Sequence, residues 1–174
     1  MRALLAFGAL LAVLGVPAVL SAKPKPQDPP GSLSVRGGRG EIVLQVRGAV
    51  IGRMAAGKLT LTDDQPYDEQ EPDVRGRLRT RPRPLSDATT VYQGRQIRFR
   101  VMDGSYRLRM NGTGINLSAV GRGWVVLQGD VRYDNTGSYS LNTQPYEEIP
   151  YERTQRLKLT GESSNTTPRL WARP

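Results

Sequence analysis

The sequence predicts an all-β domain, read as an antiparallel β-sandwich of about ten to twelve short strands, with an open β-barrel as the alternative. Three observations carry that expectation. Runs that alternate apolar and polar residues recur roughly every 8–12 residues, the spacing of strands joined by turns. Most of the 19 glycines and 13 prolines fall between these runs, which argues against helices. Finally, the stretch Arg95 to Met110, RQIRFRVMDGSYRLRM, sorts its side chains into two clean sets.

At the centre of that stretch, Asp103-Gly104 suits a two-residue type I′ hairpin turn. Such a turn sets Val101 against Tyr106, Phe99 against Leu108 and Ile97 against Met110, all on one face. The same register sets Arg100 against Arg107 and Arg98 against Arg109 on the other. Like charges directly opposite each other destabilise a sheet, so these four arginines need anions nearby. One solution is internal: carboxylates from adjacent strands or from a folded-over loop. The other is external: an anionic cell-envelope polymer, an acidic polysaccharide or lipid headgroups. Nucleic acid fits less well, because Phe99 and Tyr106 lie on the face away from the arginines and cannot interleave with them for base stacking. A third role needs no ligand, since long Arg stems also cover apolar surface.

A chain of 174 residues is the size of one domain with a real core. Its net charge is +9, and only four of its 25 cationic residues are lysine. The planar Arg fork suits phosphate or carboxylate partners, although composition alone favours a biased, GC-rich coding sequence as the source of the excess. Cysteine and histidine are both absent. Disulfides, Cys/His zinc sites, cysteine nucleophiles and His-assisted serine triads are thereby excluded, and no cofactor or metal is implied. A non-enzyme is expected.

Residues 1–22 carry Arg2, an uncharged run from Ala3 to Leu20, and Ser21-Ala22 before Lys23. This is the pattern of a signal peptide cut after Ala22, which makes the protein secreted or cell-envelope associated. The rival is an uncleaved anchor, although Gly8, Gly15 and Pro17 make a poor permanent helix. After cleavage no other stretch could cross a membrane. Residues 23–31, KPKPQDPPG, read as a disordered Pro-rich linker, 32–161 as the β domain, and 162–174 as a disordered tail.

Within the domain, Leu33 and Val35, then Ile42, Leu44 and Val46, then Leu59 and Leu61 mark strands. Gly52 to Lys58 resembles a phosphate-cradling loop, but Leu59 stands where Ser or Thr should hold magnesium. Residues 63–88 form a long loop with an acidic half (Asp63, Asp64, Asp68, Glu69, Glu71, Asp73) and a basic half (Arg75, Arg77, Arg79, Arg81, Arg83). The two halves can neutralise each other, and Val74 to Thr80 is at most an edge strand. Asn111-Gly112 gives a second hairpin signal, and Leu157 and Leu159 a last strand.

GRGEIVLQ at Gly38 to Gln45 recurs as GRGWVVLQ at Gly121 to Gln128. By correspondence Val125 and Leu127 are core, while Trp124 and Val126 face out. Trp124 is then a candidate contact patch, unless a second sheet or a loop covers it. Glu147, Glu148 and Glu152 supply the carboxylates of a competing class, a glycosidase-like hydrolase. Asp134-Asn135 reads as a turn. Self-assembly through an open strand edge or through Trp124 is a third class. Oligomeric state is not legible.

The run TVYQGRQIRFRVMDGSYRLRMNGTGINLSAVG, with GSYSL after it, resembles small secreted β-rich proteins of high-GC bacteria. That resemblance spans roughly Ser32 to Gly161 and implies a β-rich secreted domain with no assigned activity. The glycine-spaced stretch Gly40 to Leu61 is also similar to bactofilin-type β-solenoids, from which the long loop and the hairpin signals depart.

Overall fold

The structure, a computed structural model, describes residues 28–67 and 71–161. The expected leader 1–22 and the expected tail 162–174 lie outside the described residues, as does the expected linker up to residue 27. Every described element is a strand and every pairing is antiparallel. The strands are β1 (Gly31–Asp63), β2 (Asp73–Leu78), β3 (Arg83–Ser86), β4 (Thr89–Gly129), β5 (Ser138–Leu141), β6 (Glu147–Glu148) and β7 (Gln155–Leu159). They form one open sheet in the order β2-β4-β1-β5-β6, with β3 and β7 also on β4. The count differs from the ten to twelve short strands expected. Most of those short runs are legs of two long strands, β1 with 33 residues and β4 with 41.

How two strands enclose a core follows from their register. Leu44 pairs with Leu108 on one side and with Val125 on the other, and Leu108 pairs with both Leu44 and Leu61. The two partners of Leu44 therefore stand 17 residues apart along β4. β1 and β4 thus form a ribbon wound on itself, each edge meeting the opposite edge one turn later. A single cross-strand row runs Thr90, Leu61, Leu108, Leu44, Val125, Leu157. One face of the ribbon points inward throughout, and its apolar residues, from Leu33 and Val35 to Val125 and Leu127, are buried. At about 25 cal/mol per Å², that shared burial is the main force holding the coil closed.

A wound ribbon has to turn corners, and glycine makes them. Gly129, Gly40, Gly112, Gly57 and Gly94 pair in one row across the strands, and Gly104, Gly48, Gly121 and Gly31 in another. A Cβ on Gly48 would lie 2.2 Å from the Val120 carbonyl oxygen, and one on Gly57 would lie 2.3 Å from that of Asn111. Both have positive φ, +149° and +146°. No L side chain fits there. The glycines that punctuate the sequence are therefore bends within strands rather than gaps between them.

The expected hairpin at Asp103-Gly104 is overturned. Gly104 pairs with Gly48 and Val101 with Val50, so Met102 and Asp103 together oppose Ala49 as a β-bulge. Asp103 takes the left-handed conformation, φ +53°. Tyr106 pairs with Val46 and Asp63, not with Val101. Yet Ile97, Phe99, Val101, Tyr106, Leu108 and Met110 are all buried, as the hairpin required. A one-residue bulge shifts side-chain alternation by one, and the supposed two-residue turn would have done the same. Gly112 is likewise a corner inside β4, not a turn.

Asp28 to Pro30, expected to belong to the disordered linker, are tied to the last strand. Gly161 N–H donates to the Pro29 carbonyl at 2.8 Å, and Lys158 Nζ lies 2.5 Å from Asp28 Oδ2. Arg122 also donates to the Asp28 carbonyl.

Replacing a corner glycine tests this construction. Gly48→Ala combines a disfavoured φ with a clash against backbone and should cost about 3 kcal/mol or more. Gly37→Ala, at φ +62° with nothing within 4 Å of its Cβ, should cost only about 1–2 kcal/mol. Urea unfolding of the two variants measures the contrast, and equal costs would contradict the corner assignment.

Candidate functional site

The bulge decides where the hairpin arginines go. It places Arg98 and Arg100 on one leg of β4 and sends Arg107 and Arg109 around the glycine corner to the next. All four are exposed, as expected, but they do not oppose each other.

Arg107 and Arg109 are met from within. Arg109 Nη2 lies 3.0 Å from Glu41 Oε2, and Arg107 Nη2 donates to Gln45 Oε1 at 3.2 Å. Their cross-strand neighbours are Gln45 and Thr62, and Val43 and Thr60. This pair is a surface lattice of ordinary kind.

Arg98 and Arg100 stand in a different environment. Arg98 pairs across the sheet with Arg75 of β2 on one side and Arg53 of β1 on the other. Three arginines thus lie side by side, on strands about 4.8 Å apart. Arg53 continues the row to Asn116. In the next row, Asp73, Arg100, Ile51 and Ser118 stand abreast. Asp73 Oδ1 accepts the Nε–H of Arg75 at 2.9 Å. Among the described residues, Arg53, Arg98 and Arg100 have no ion-pair partner. These residues, with Arg36, line a shallow groove of about 630 Å³ over the outer surface of β1, β2 and β4. Gly52, Ile51 and Leu117 line it as well. At its far end the Arg36 guanidinium sits 4.1 Å from the Tyr146 ring centre, and Tyr146 shares a hydrogen bond with Ser34 at 2.7 Å.

The sequence missed Arg53, Arg75 and Arg36 as members of this site. The only available signal was period 2 in the basic half of the long loop. That half does form the expected edge strand, β2, at one end of the sheet. Of the acidic half, Asp73 meets the basic row through Arg75, while Asp63 and Asp64 are engaged elsewhere. Asp64 accepts from Ser105 at 2.8 Å, and Asp63 is buried at the loop base, where its N–H donates to the Ala88 carbonyl.

Trp124 points outward and is half-buried, as the repeat implied, with Val125 and Leu127 in the core. It pairs with Gln45 and Lys158, and the Arg156 guanidinium caps its ring at 4.7 Å from the centre. Strand β7 thus covers the ring in part. The two repeat copies are themselves partners: Glu41 to Gln45 pair antiparallel with Gln128 to Trp124, Val43 opposite Val126.

The carboxylates Glu147 and Glu148 form β6 beside Asp134 in a second hollow that Arg36 and Arg39 also line. All three are exposed. Glu147 Oε2 accepts the Tyr139 hydroxyl at 2.5 Å, and Gln155 Nε2 donates to that hydroxyl at 2.8 Å. Burial, with the hydrogen bond to Glu147, pushes the Tyr139 phenol up to about 12. On the neighbouring loop the hydrogen bonds from Arg132 hold Asp130 down to about 2. Both arrangements fix loops. Among the described residues no group of three or more acidic side chains could hold a metal ion.

Comparison of the chain with family models, with curated proteins and with solved structures returns no match.

The Tyr139 network predicts a pH signature. A phenol raised in the folded state leaves stability intact below about pH 10, where both states are protonated. Between about pH 10 and 12 the unfolded chain loses its proton first, and stability should fall. Tyr139→Phe should flatten that fall, read by urea unfolding across the interval. An unchanged slope would place the titrating group elsewhere.

Proposed function

We propose that the protein is a non-catalytic, secreted or cell-envelope-associated binding module that holds anionic ligands in the arginine groove. One observation carries this reading: the row Arg75, Arg98, Arg53, in which, among the described residues, Arg98 and Arg53 have no ion-pair partner. Adjacent like charges repel by up to about 1 kcal/mol in a water-like medium. A sheet gains nothing from such a row until an anion enters it. Five arginines against one aspartate line the groove, and arginine forks bind carboxylate, sulfate and phosphate oxygens in bidentate pairs. The groove is broad and open, which suits a surface or a polymer better than an enclosed small molecule.

The same reading takes the wound ribbon as two facing layers, the sandwich rather than the barrel. Its support is the placing of the bends. Gly40, Gly48 and Gly57 divide each 17-residue turn into two legs, whereas a round barrel would spread its curvature along the strand.

The test is the triple variant Arg53→Gln, Arg98→Gln, Arg100→Gln on immobilised dextran sulfate. It should elute at clearly lower salt than the parent, and Arg107→Gln with Arg109→Gln should shift elution less. Folding stability of the triple variant at low salt should hold or rise by about 0.5–1 kcal/mol, because repulsion is relieved. Unchanged retention, or a drop in stability from carboxylates left unpaired, would refute the proposal.

A further inference from the structure

We infer that the partner of this face is an anionic lipid surface, entered by an apolar stripe beside the arginines. The inference rests on the anion-binding reading above and specifies what brings the anions. Successive rows of the outer face stand about 7 Å apart along the strands. The first row is Arg75, Arg98 and Arg53, and the second is Asp73, Arg100, Ile51 and Ser118. In the third, Met102 of the bulge and Val120 flank Ala49, against the corner made by Gly104, Gly48 and Gly121. Ile51, Val120 and Met102 are 59%, 52% and 44% exposed. These are large apolar side chains left in water next to unpaired guanidinium groups. Across the corner Arg47 is exposed as well, so cations border the stripe on both sides.

A soluble polyanion would use the arginines and leave Ile51, Met102 and Val120 wet. A lipid interface uses both. Its phosphates meet the guanidinium groups while the apolar tips enter the headgroup layer, and each contribution is too small alone to hold a protein. Tyr146, at the groove's far end under Arg36, has the amphipathic character favoured at that depth. Among the described residues of these three rows, the acidic groups are Asp73 and Asp103. Asp73 is bonded to Arg75, and Asp103 sits in the bulge.

The experiment is co-sedimentation of the protein cut after Ala22 with phosphatidylcholine vesicles, with and without phosphatidylglycerol, since the apolar run Ala3 to Leu20 would itself bind neutral vesicles. Binding should need phosphatidylglycerol and weaken with salt, and each of Arg53→Gln, Arg98→Gln and Arg100→Gln should cost about five-fold. The variant Ile51→Ser, Met102→Ser, Val120→Ser should lose about ten-fold or more in vesicle affinity, yet keep its retention on dextran sulfate. Equal vesicle binding by that variant and the parent overturns the lipid inference and leaves the anion reading in place. Failure of the arginine variants to change retention on dextran sulfate overturns the anion reading itself.

Discussion

The close approach of backbones at two rows of glycines is the constraint on which the rest of the structure depends. A two-stranded ribbon can bury only one face, and alone it is marginal in water. Winding it lets the buried face meet itself, but the wall must bend sharply twice per turn. At Gly48 and Gly121, and again at Gly57 and Gly112, paired strands come closer than any Cβ allows. Bends at the same place in every layer keep the legs straight between them, and straight legs keep Leu44, Leu108, Val125 and Leu61 in one row. The apolar core follows from those corners.

Because the core takes all of one face, the other is free to carry whatever chemistry the surface needs. Here it carries a conflict. Arg75, Arg98 and Arg53 stand side by side on three strands although each could have faced a neutral or acidic residue. Elsewhere the same surface has matched pairs: Arg109 has Glu41, Arg132 has Asp130 and Lys158 has Asp28. The departure is widest in that groove, where three arginines stand in one row, and two-membered cases occur outside it, Arg77 with Arg95 and Arg47 with Arg122.

The sequence made the core legible and the pairing illegible. Alternation at Ile97, Phe99 and Val101, and again at Tyr106, Leu108 and Met110, placed all six inside. Alternation is local, and any device that shifts the count by one gives the same sorting. A turn and a bulge at Asp103 were therefore indistinguishable from residue types alone. They differ in which strand lies opposite, and that is fixed by contacts 40 or more residues away, such as Val101 with Val50. The glycine spacing was visible too, but eight-residue intervals suit hairpins as well as bends. The repeat was the one long-range signal. It correctly assigned Val125 and Leu127 without showing that its two copies are bonded to each other.

That ambiguity had a consequence for the candidate site. With a turn at Asp103, four arginines would have shared one patch and one fate. With a bulge, the chain runs on, and chemically identical side chains meet different opposite numbers on β1. Gln45 stands abreast of Arg107, and Glu41 reaches Arg109 diagonally from beside Asn111, whereas Arg53 and Ile51 stand abreast of Arg98 and Arg100. Whether an arginine here finds an internal partner is thus decided by the residues abreast of it and diagonal to it on the next strand, not by its own neighbourhood in the chain. Arg53 lies some 45 residues from Arg98 in sequence, yet it turns a surface arginine into part of a cationic row.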